Sequence, residues 1–498
     1  MRIVPLTRFA LTFPLVLAAC TVGPNYVRPA VQVPPAFKEA GQWQAAQGAE
    51  TRVQAKWWVA FGDPGLNGLE ERVVVDNQTL HVAEAQYRAA KAALDSARAA
   101  RYPTVTGAAS ATRGAAPTTS SVAISNTGSD TFSVSATASW EIDAWGRIRR
   151  TIEAAGANAQ ASAADLAAAR LSIQALLAQT WFQLRASDTQ LDTLSHTVDV
   201  DTRFLALTRD RFTAGVASAL DVALAESQLG TARTQADDAA LQHAQLEDAV
   251  AILVGKPLAS IDLKPNGPVP TIPAAPRLLP SALVESRPDI VAAERSVAAA
   301  NAQIGVAESA FYPSLDLAAD GGFTHNSLAG LLSAPSRFWS LGPALAATLF
   351  DGGARAAAVN QAKAGYDQTV ANYRQTVLTA FQEVEDNLAA ARQLEQEADH
   401  QDMALKAAQR ARDIAENEYR AGTASALDVI TAETAEYAAE LNAISIWNRR
   451  ISAAVLLFKN AGGRWPPIDT EQGLVLKLDK ELADSTPGKP AAAQKNKD

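Results

Sequence analysis

Residues 212–227 read FTAGVASALDVALAES, and residues 419–434 read YRAGTASALDVITAET, the same short break repeated 207 residues further on. Each copy sits within a long Ala-, Leu- and Gln-rich stretch that holds no proline, from Arg147 to Pro257 in the first half and from Pro343 to Pro466 in the second. A helix of roughly 65 residues is a rod of about 100 Å. Rods of that length do not fit an ordinary globule, so coiled-coil-like packing is expected. In each copy a glycine, Gly215 or Gly422, supplies the left-handed residue that ends a helix. Ser218 or Ser425 then caps the returning helix, and Asp221 or Asp428, three residues on, completes a capping box. Both stretches therefore read as tips of helical hairpins, one over 147–254 and one over 354–460.

Ahead of each hairpin the pattern changes to period two. In TFSVSATASW, Phe132, Val134, Ala136, Ala138 and Trp140 alternate with Ser133, Ser135, Thr137 and Ser139. That is a strand with one apolar and one hydroxyl-bearing face. RYPTVTGAASAT precedes it, with Pro103 stopping a helix over 64–101. The second half repeats this plan. SRPDIVAAERSVAAANAQIGVAESAF reads as helix, Tyr312-Pro313 closes it, and two strands follow within 314–350. The later strand, 338–350, aligns Trp339, Leu341, Leu345, Ala347 and Leu349 on one face. A period of about 207 residues is too long for a solenoid and reads as duplication of a whole unit. The first repeat spans 61–256, with strands within 103–141, and the second spans 289–462. Eight prolines between 257 and 288 mark the linker between them, and 463–498 ends in a tail rich in Lys, Ala and Pro.

The N-terminus carries its own address. MRIVPLTRFALTFPLVLAAC has two arginines, an apolar core and small residues, the form of a secretory signal over 1–19. Leu17-Ala18-Ala19-Cys20 has the form of a bacterial lipobox, which implies cleavage before Cys20 and its acylation. Thr21 follows where an aspartate would favour retention at the inner membrane. Residues 20–60, with Pro24, Pro29, Pro34 and Pro35, read as an extended segment leaving that anchor.

The remaining composition excludes several classes. Cys20 is the only cysteine, so there is no intrachain disulfide and no cysteine-based metal site. A net charge of −9 argues against nucleic acid as a partner. The five histidines, His81, His196, His243, His325 and His400, stand in no metal-ligand spacing. No catalytic constellation, cofactor motif or phosphate loop is present, so no enzyme activity and no cofactor are expected.

Strands of about ten residues have the length of tilted transmembrane β-strands. Phe132, Val134, Trp140, Trp339, Leu341 and Leu345 would then face lipid. Four strands leave two open edges, which lipid does not tolerate, so a barrel would have to close between chains. A soluble coiled-coil lipoprotein with a small β-sandwich cap has the same periodicities and no pore.

Several longer blocks, CTVGPNYVRP, WWVAFGDPGLNGLEERVVVDNQTL, RPDIVAAERSVAAANAQIGVAESAFYPSL and LFDGGARAA, together with the repeated tip, carry a resemblance. In the second block these include Trp57, Trp58, Phe61, Asp63, Leu66, Leu69 and Asn77. From about residue 20 to 470 the chain resembles the TolC-like outer membrane factors, in particular the lipoprotein (NodT-type) branch of efflux outer-membrane subunits. The resemblance implies a mixed α/β membrane protein: a homotrimer with a twelve-stranded outer-membrane β-barrel, a twelve-helix periplasmic α-barrel and an equatorial domain. It implies a passive exit duct of a tripartite efflux pump. Its partners would be a periplasmic adaptor (membrane fusion protein) and an inner-membrane pump of the resistance-nodulation-division type. The tips Gly215, Ser218, Asp221, Gly422 and Ser425 would contact the adaptor, and Asp428 would form a ring at the periplasmic gate. A second acidic position of that family's gate is Thr431 here, and a nearby basic position is Ala424. The duct of a type I secretion system shares the fold, but the lipobox and these blocks argue against it.

Overall fold

The computed structural model describes residues 21–40, 56–114, 128–261, 263, 270–274 and 286–462. Cys20 and the signal segment, residues 41–55, the segment 115–127, most of the proline-rich linker and the C-terminal residues 463–498 lie outside them.

The elements follow the chain as α1 (Pro64–Asp76), α2 (Gln78–Ala99), β1 (Thr104–Gly114), β2 (Ser129–Glu141), α3 (Arg147–Thr213) and α4 (Ala219–Val254). After the linker come α5 (Pro288–Ser309), β3 (Ser314–His325), β4 (Arg337–Ala346), α6 (Ala354–Ala421) and α7 (Ala426–Gly462). The chain divides into two compact units. Among the described residues no helix is long and apolar enough to cross a membrane.

One unit comprises Met1–Ala30, Gln86–Ser162 and Ala292–Tyr373. Its centre is a four-stranded antiparallel meander in the order β1-β2-β3-β4. Strands β2 and β3, which lie on either side of the linker in sequence, pair directly, with Val134 opposite Phe323 and Trp140 opposite Leu317. The outer strands, β1 and β4, each have one neighbour. Gly322 sits where a side chain cannot: a Cβ there would lie 2.2 Å from the Val134 carbonyl oxygen. The same unit holds the N-terminal segment tightly. Val22 N–H donates to the Trp145 carbonyl at 3.0 Å. Buried Arg150 donates to the carbonyls of Val22 and Gly23 at 3.1 and 3.0 Å and to Asn25 Oδ1 at 2.9 Å. Asn301 Nδ2 reaches the Pro24 carbonyl at 2.9 Å, and Tyr26 donates to Glu294.

The other unit comprises Val31–Ala85, Ala163–Val291 and Arg374–Asp498. Its main core gathers Trp57, Trp58 and Phe61, α1 through Leu66, Leu69 and Val73, α3 through Leu177, Trp181 and Phe182, and α7 through Ile451, Val455 and Phe458. Phe61 is central, with ring centroids 5.2 Å from Phe182 and 5.4 Å from Phe458. Asp63 caps α1 by accepting from Leu66 N–H at 2.9 Å, and Pro64 fills the first helical position, where a missing N–H costs nothing. All seven residues quoted for the second sequence block, Trp57, Trp58, Phe61, Asp63, Leu66, Leu69 and Asn77, are buried. That block is legible because it makes this core.

Two expectations need correction. The helix expected over 64–101 is two helices. Asn77 has an extended backbone, its Oδ1 accepts from Leu80 N–H at 3.0 Å, and its Nδ2 donates to the Leu253 carbonyl at 2.6 Å. A side chain that serves both as N-cap and as bracket to another helix end holds the break open. The strand expected over 338–350 ends at Ala346, because its partner β3 begins at Ser314, opposite Ala346, directly after Pro313. Ala347 and Leu349 therefore lie beyond the ladder, and Leu349 is 94% exposed.

Candidate functional sites: an apolar sheet face and two capped tips

Residues directly opposite in an antiparallel ladder point to the same side of the sheet. Following the register across all four strands separates two faces. On one lie Val105, Ala109 and Ala111 of β1, then Phe132, Val134, Ala136, Ala138 and Trp140 of β2. Leu315, Leu317, Ala319 and Phe323 of β3 and Trp339, Leu341 and Leu345 of β4 continue it, and His325 and Arg337 stand on it at one end of the strands. The other face carries Thr104, Thr106, Ser110, Ser133, Ser135, Thr137, Ser139, Asp316 and Asp320. On that face Thr137 donates to Asp320 at 2.7 Å. The six residues expected to share a lipid-facing side, Phe132, Val134, Trp140, Trp339, Leu341 and Leu345, do share one face. A single chain leaves it uncovered: Trp339 is 75% exposed. Aromatic residues cluster at the end of the sheet where the strands begin and end. Trp140 Nε1 donates to the Arg101 carbonyl at 3.0 Å, Trp145 Nε1 donates to the Pro313 carbonyl at 2.7 Å, and Trp145 stacks on Tyr312 at 5.0 Å.

In the other unit, the tips repeat one another bond for bond. Gly215 and Gly422 have φ of 76° and 80°. After the first, Val216 and Ala217 donate N–H groups back to the Arg211 carbonyl at 2.9 and 3.2 Å. After the second, Thr423 and Ala424 donate to the Glu418 carbonyl at 2.9 and 3.3 Å. These bonds satisfy carbonyls that a helix end leaves unpaired. Asp221 Oδ2 accepts from Ser218 N–H and Oγ–H, both at 2.8 Å, and Asp221 N–H donates back to Ser218 Oγ at 3.2 Å. Asp428 makes the same three bonds with Ser425 at 2.8, 2.7 and 3.3 Å. Asp428 is thus as complete a cap as Asp221, as the shared S-x-x-D pattern leads one to expect. The bonds from Ser425 hold the exposed Asp428 carboxyl below the usual aspartate range.

Sequence reasoning missed the contact that joins the tips. Arg211, in the last turn of α3, donates from Nη1 to the Tyr419 carbonyl at 2.7 Å and lies 4.6 Å from the centre of that ring. Phe204 packs against Tyr419 at 5.3 Å, within a small core completed by Leu205, Ala225, Leu229, Ala426 and Val429. The repeat itself differs at this point: Arg211-Phe212 in one copy is Glu418-Tyr419 in the other.

The chain thus joins a sheet of membrane-spanning strand length with one largely apolar face to four helices of 36 to 68 residues. A family described as outer membrane efflux protein matches residues 71–256 and 279–463. The pyoverdine export outer membrane protein OpmQ of Pseudomonas aeruginosa is 30% identical over 472 residues, 93% of this chain and 97% of that protein. The outer membrane protein OprJ of the same species is 31% identical over 466 residues, 92% and 95% of the two chains. Among solved structures, the outer-membrane channel OprN superposes with a TM-score of 0.82 at 30% identity, over 90% of this chain and all of that one. The MtrE outer-membrane channel of Neisseria gonorrhoeae, in its open state, gives 0.78 at 27% identity, over 89% and 98%. The chain belongs to the outer membrane efflux protein family. It is an outer-membrane protein and a channel component of efflux.

Proposed function

We propose that three copies of this chain close a twelve-stranded barrel in the outer membrane, continued into the periplasm by a twelve-helix tunnel, and that the trimer is the passive exit duct of a tripartite efflux pump. The sheet register carries this reading: four paired strands with one apolar face and two unpaired edges are stable in lipid only when other strands close them. Outer-membrane lipid would meet Phe132, Val134, Trp140, Trp339, Leu341 and Leu345. The partners would be a periplasmic adaptor and an inner-membrane pump of the resistance-nodulation-division type, the adaptor docking at Gly215, Ser218, Asp221, Gly422 and Ser425. Relatives named as efflux pump outer membrane proteins, such as TtgC of Pseudomonas putida, support that partner set. Native mass spectrometry of the purified protein and planar-bilayer recording test the reading together. A trimer with single-channel conductance is expected, and a monomeric particle without conductance overturns it.

Lipidation of Cys20 belongs to the same reading. The first described residues are already fixed where the strands begin and end: Val22 is bonded to Trp145, and Gly146 leaves no room for a Cβ beside Thr21, which would come within 2.8 Å. An acyl group one residue earlier would enter the membrane beside the sheet. Mass spectrometry of the mature N-terminal peptide should find Cys20 acylated; a free Cys20 refutes it. Since the proposed barrel would also hold the protein in the membrane, Cys20→Ser is expected to leave assembly intact in exported protein.

Asp428 is proposed as the gate acid, three carboxylates facing across the narrow end of the tunnel. Facing carboxylates raise one another's pKa, against the downward pull of Ser425 in each chain. A ring of acids favours cations. Asp428→Ala is expected to reduce cation preference, and Asp221→Ala to cost about 0.5–2 kcal/mol of tip stability with conductance little changed. Planar-bilayer selectivity measurements on both variants decide it: altered selectivity in Asp221→Ala alone reverses the assignment, and none in either leaves both as helix caps.

A further inference from the structure

The repeated tip motif ends in Ala-Glu in both copies, yet its two glutamates meet opposite surroundings. In the first hairpin, Glu226 is half exposed and accepts from Arg209 Nη2 at 2.6 Å. The residues 207 positions further on are Glu416 and Glu433, so the second hairpin sets a carboxylate against a carboxylate. Glu433 is 9% exposed, and its Oε2 has no hydrogen-bond partner among the described residues. Asp201 of α3 adds a second buried acid close enough to Glu433 to repel it. Asp201 is 1% exposed, and neither of its carboxylate oxygens has a hydrogen-bond partner among the described residues. Both acids flank the small core of Phe204, Leu205, Tyr419, Val429 and Ile430 that packs the two tips together.

The neighbouring charges do not neutralise the pair. On α6, Glu416 repels Glu433 and Arg412 attracts it; on α7, Glu436 repels it. Arg412 is itself engaged, with Nε 2.9 Å from Glu436 and 3.4 Å from Asp413, and Nη1 4.0 Å from Glu416. Glu416 also pairs with Arg420. Further along α7, Glu440 faces His196 of α3. Among the described residues no group of three or more acidic, histidine or cysteine side chains gathers to hold a metal ion. A buried carboxylate without donor or cation is stable only as the neutral acid. The occupant that suits this site is a proton.

We propose that Asp201 and Glu433 are a proton-operated latch on the paired hairpin tips: protonated, they let α3 and α7 pack; ionised, they repel each other inside the packed helices and loosen the tips. Burial raises both acids, Asp201 to about 6 and Glu433 to about 7, the latter with help from the Asp201 charge. Because the native state raises these values, the stabilisation is full below about pH 4, where free carboxylates are already protonated. It is lost as pH rises through 6 to 7. The two protons belong to the pair rather than to either residue. The latch concerns how tightly the tips pack and does not depend on pore or trimer.

Hydrogen–deuterium exchange of the full-length protein, corrected for intrinsic exchange rates, tests this between pH 5 and pH 8. Peptides covering 204–213 and 419–433 are expected to open at least tenfold more readily at pH 8, since each unit of pKa difference is worth about tenfold. In the double variant Asp201→Asn/Glu433→Gln the tips are expected to stay protected and flat with pH. His196→Asn is expected to keep the wild-type slope. A flat wild type, a double variant that keeps the slope, or a slope lost in His196→Asn overturns the proposal. The readout needs no channel activity, so a failed conductance experiment and a failed latch remain distinguishable.

Discussion

Val134→Arg is expected to cost about 2–4 kcal/mol in the membrane-inserted protein, and Ser135→Arg far less. The two residues are neighbours in β2. Val134 lies opposite Ala109 and Phe323, in the middle of the face on which Leu341, Leu345 and Trp339 also stand. Ser135 lies opposite Ala108 and Gly322 on the hydroxyl-rich face. An arginine at position 134 would hold its charge in hydrocarbon unless it reached an interface, and the middle of the strand is furthest from both. Urea titration of the protein in lipid vesicles, with loss of the sheet followed spectroscopically, measures the difference. Equal destabilisation by both substitutions would mean that this face does not meet lipid.

Gly255→Ala is expected to destabilise the helical unit by about 2–4 kcal/mol, from a left-handed backbone forced on alanine and a side chain with nowhere to go. Gly255 has φ of 80°, and its N–H closes the last turn of α4 on the Ala251 and Ile252 carbonyls. A Cβ there would lie 2.2 Å from the Asp76 carbonyl oxygen and 3.2 Å from Asn77 Cα. Both neighbours are backbone atoms, so no rotamer change relieves the clash. This is the joint at which Asn77 brackets the Leu253 carbonyl and Lys256 pairs with Asp76 at 2.9 Å. Making room would move the α1–α2 break off the end of α4. Thermal unfolding followed by helical circular dichroism should show the loss. Gly68→Ala, where a Cβ meets nothing within 4 Å, should be neutral or slightly stabilising, since α1 gains a better helix former. Similar melting of both variants would argue against a close approach at Gly255.

The long helices and their turns were legible because their signals are local. Gly215, Ser218 and Asp221 build their turn from bonds within eleven residues, from Arg211 to Asp221, and the second copy reproduces it. The alternation of β2 was legible for the same reason, and the register then carried that single strand's two faces across the whole sheet. What escaped depends on distant partners. The end of β4 is set by Pro313, just ahead of β3, and the break at Asn77 by the end of α4, some 176 residues away. Arg211 and Tyr419 read as ordinary surface residues until two hairpins meet. Glu433 reads as a solvated helix charge until Asp201 arrives from α3. The blocks that made the family recognisable, from Trp57 to Asn77, mark the core more than they mark the channel.

Because β2 and β3 pair directly, the chain would enter the proposed barrel as one four-strand arc with two unlike ends, β1 leading and β4 trailing. Ends that differ can only join head to tail, so every seam of a closed ring is the same heterologous contact. A copy whose β4 edge cannot pair would still offer a sound β1 edge to its neighbour and be accepted into the ring. It would then leave one seam open to lipid. Co-expression of such an edge-defective copy should therefore poison rings built mostly of sound chains, in proportion to the number of copies each ring holds. The dose response of that poisoning counts the subunits without any view of the particle.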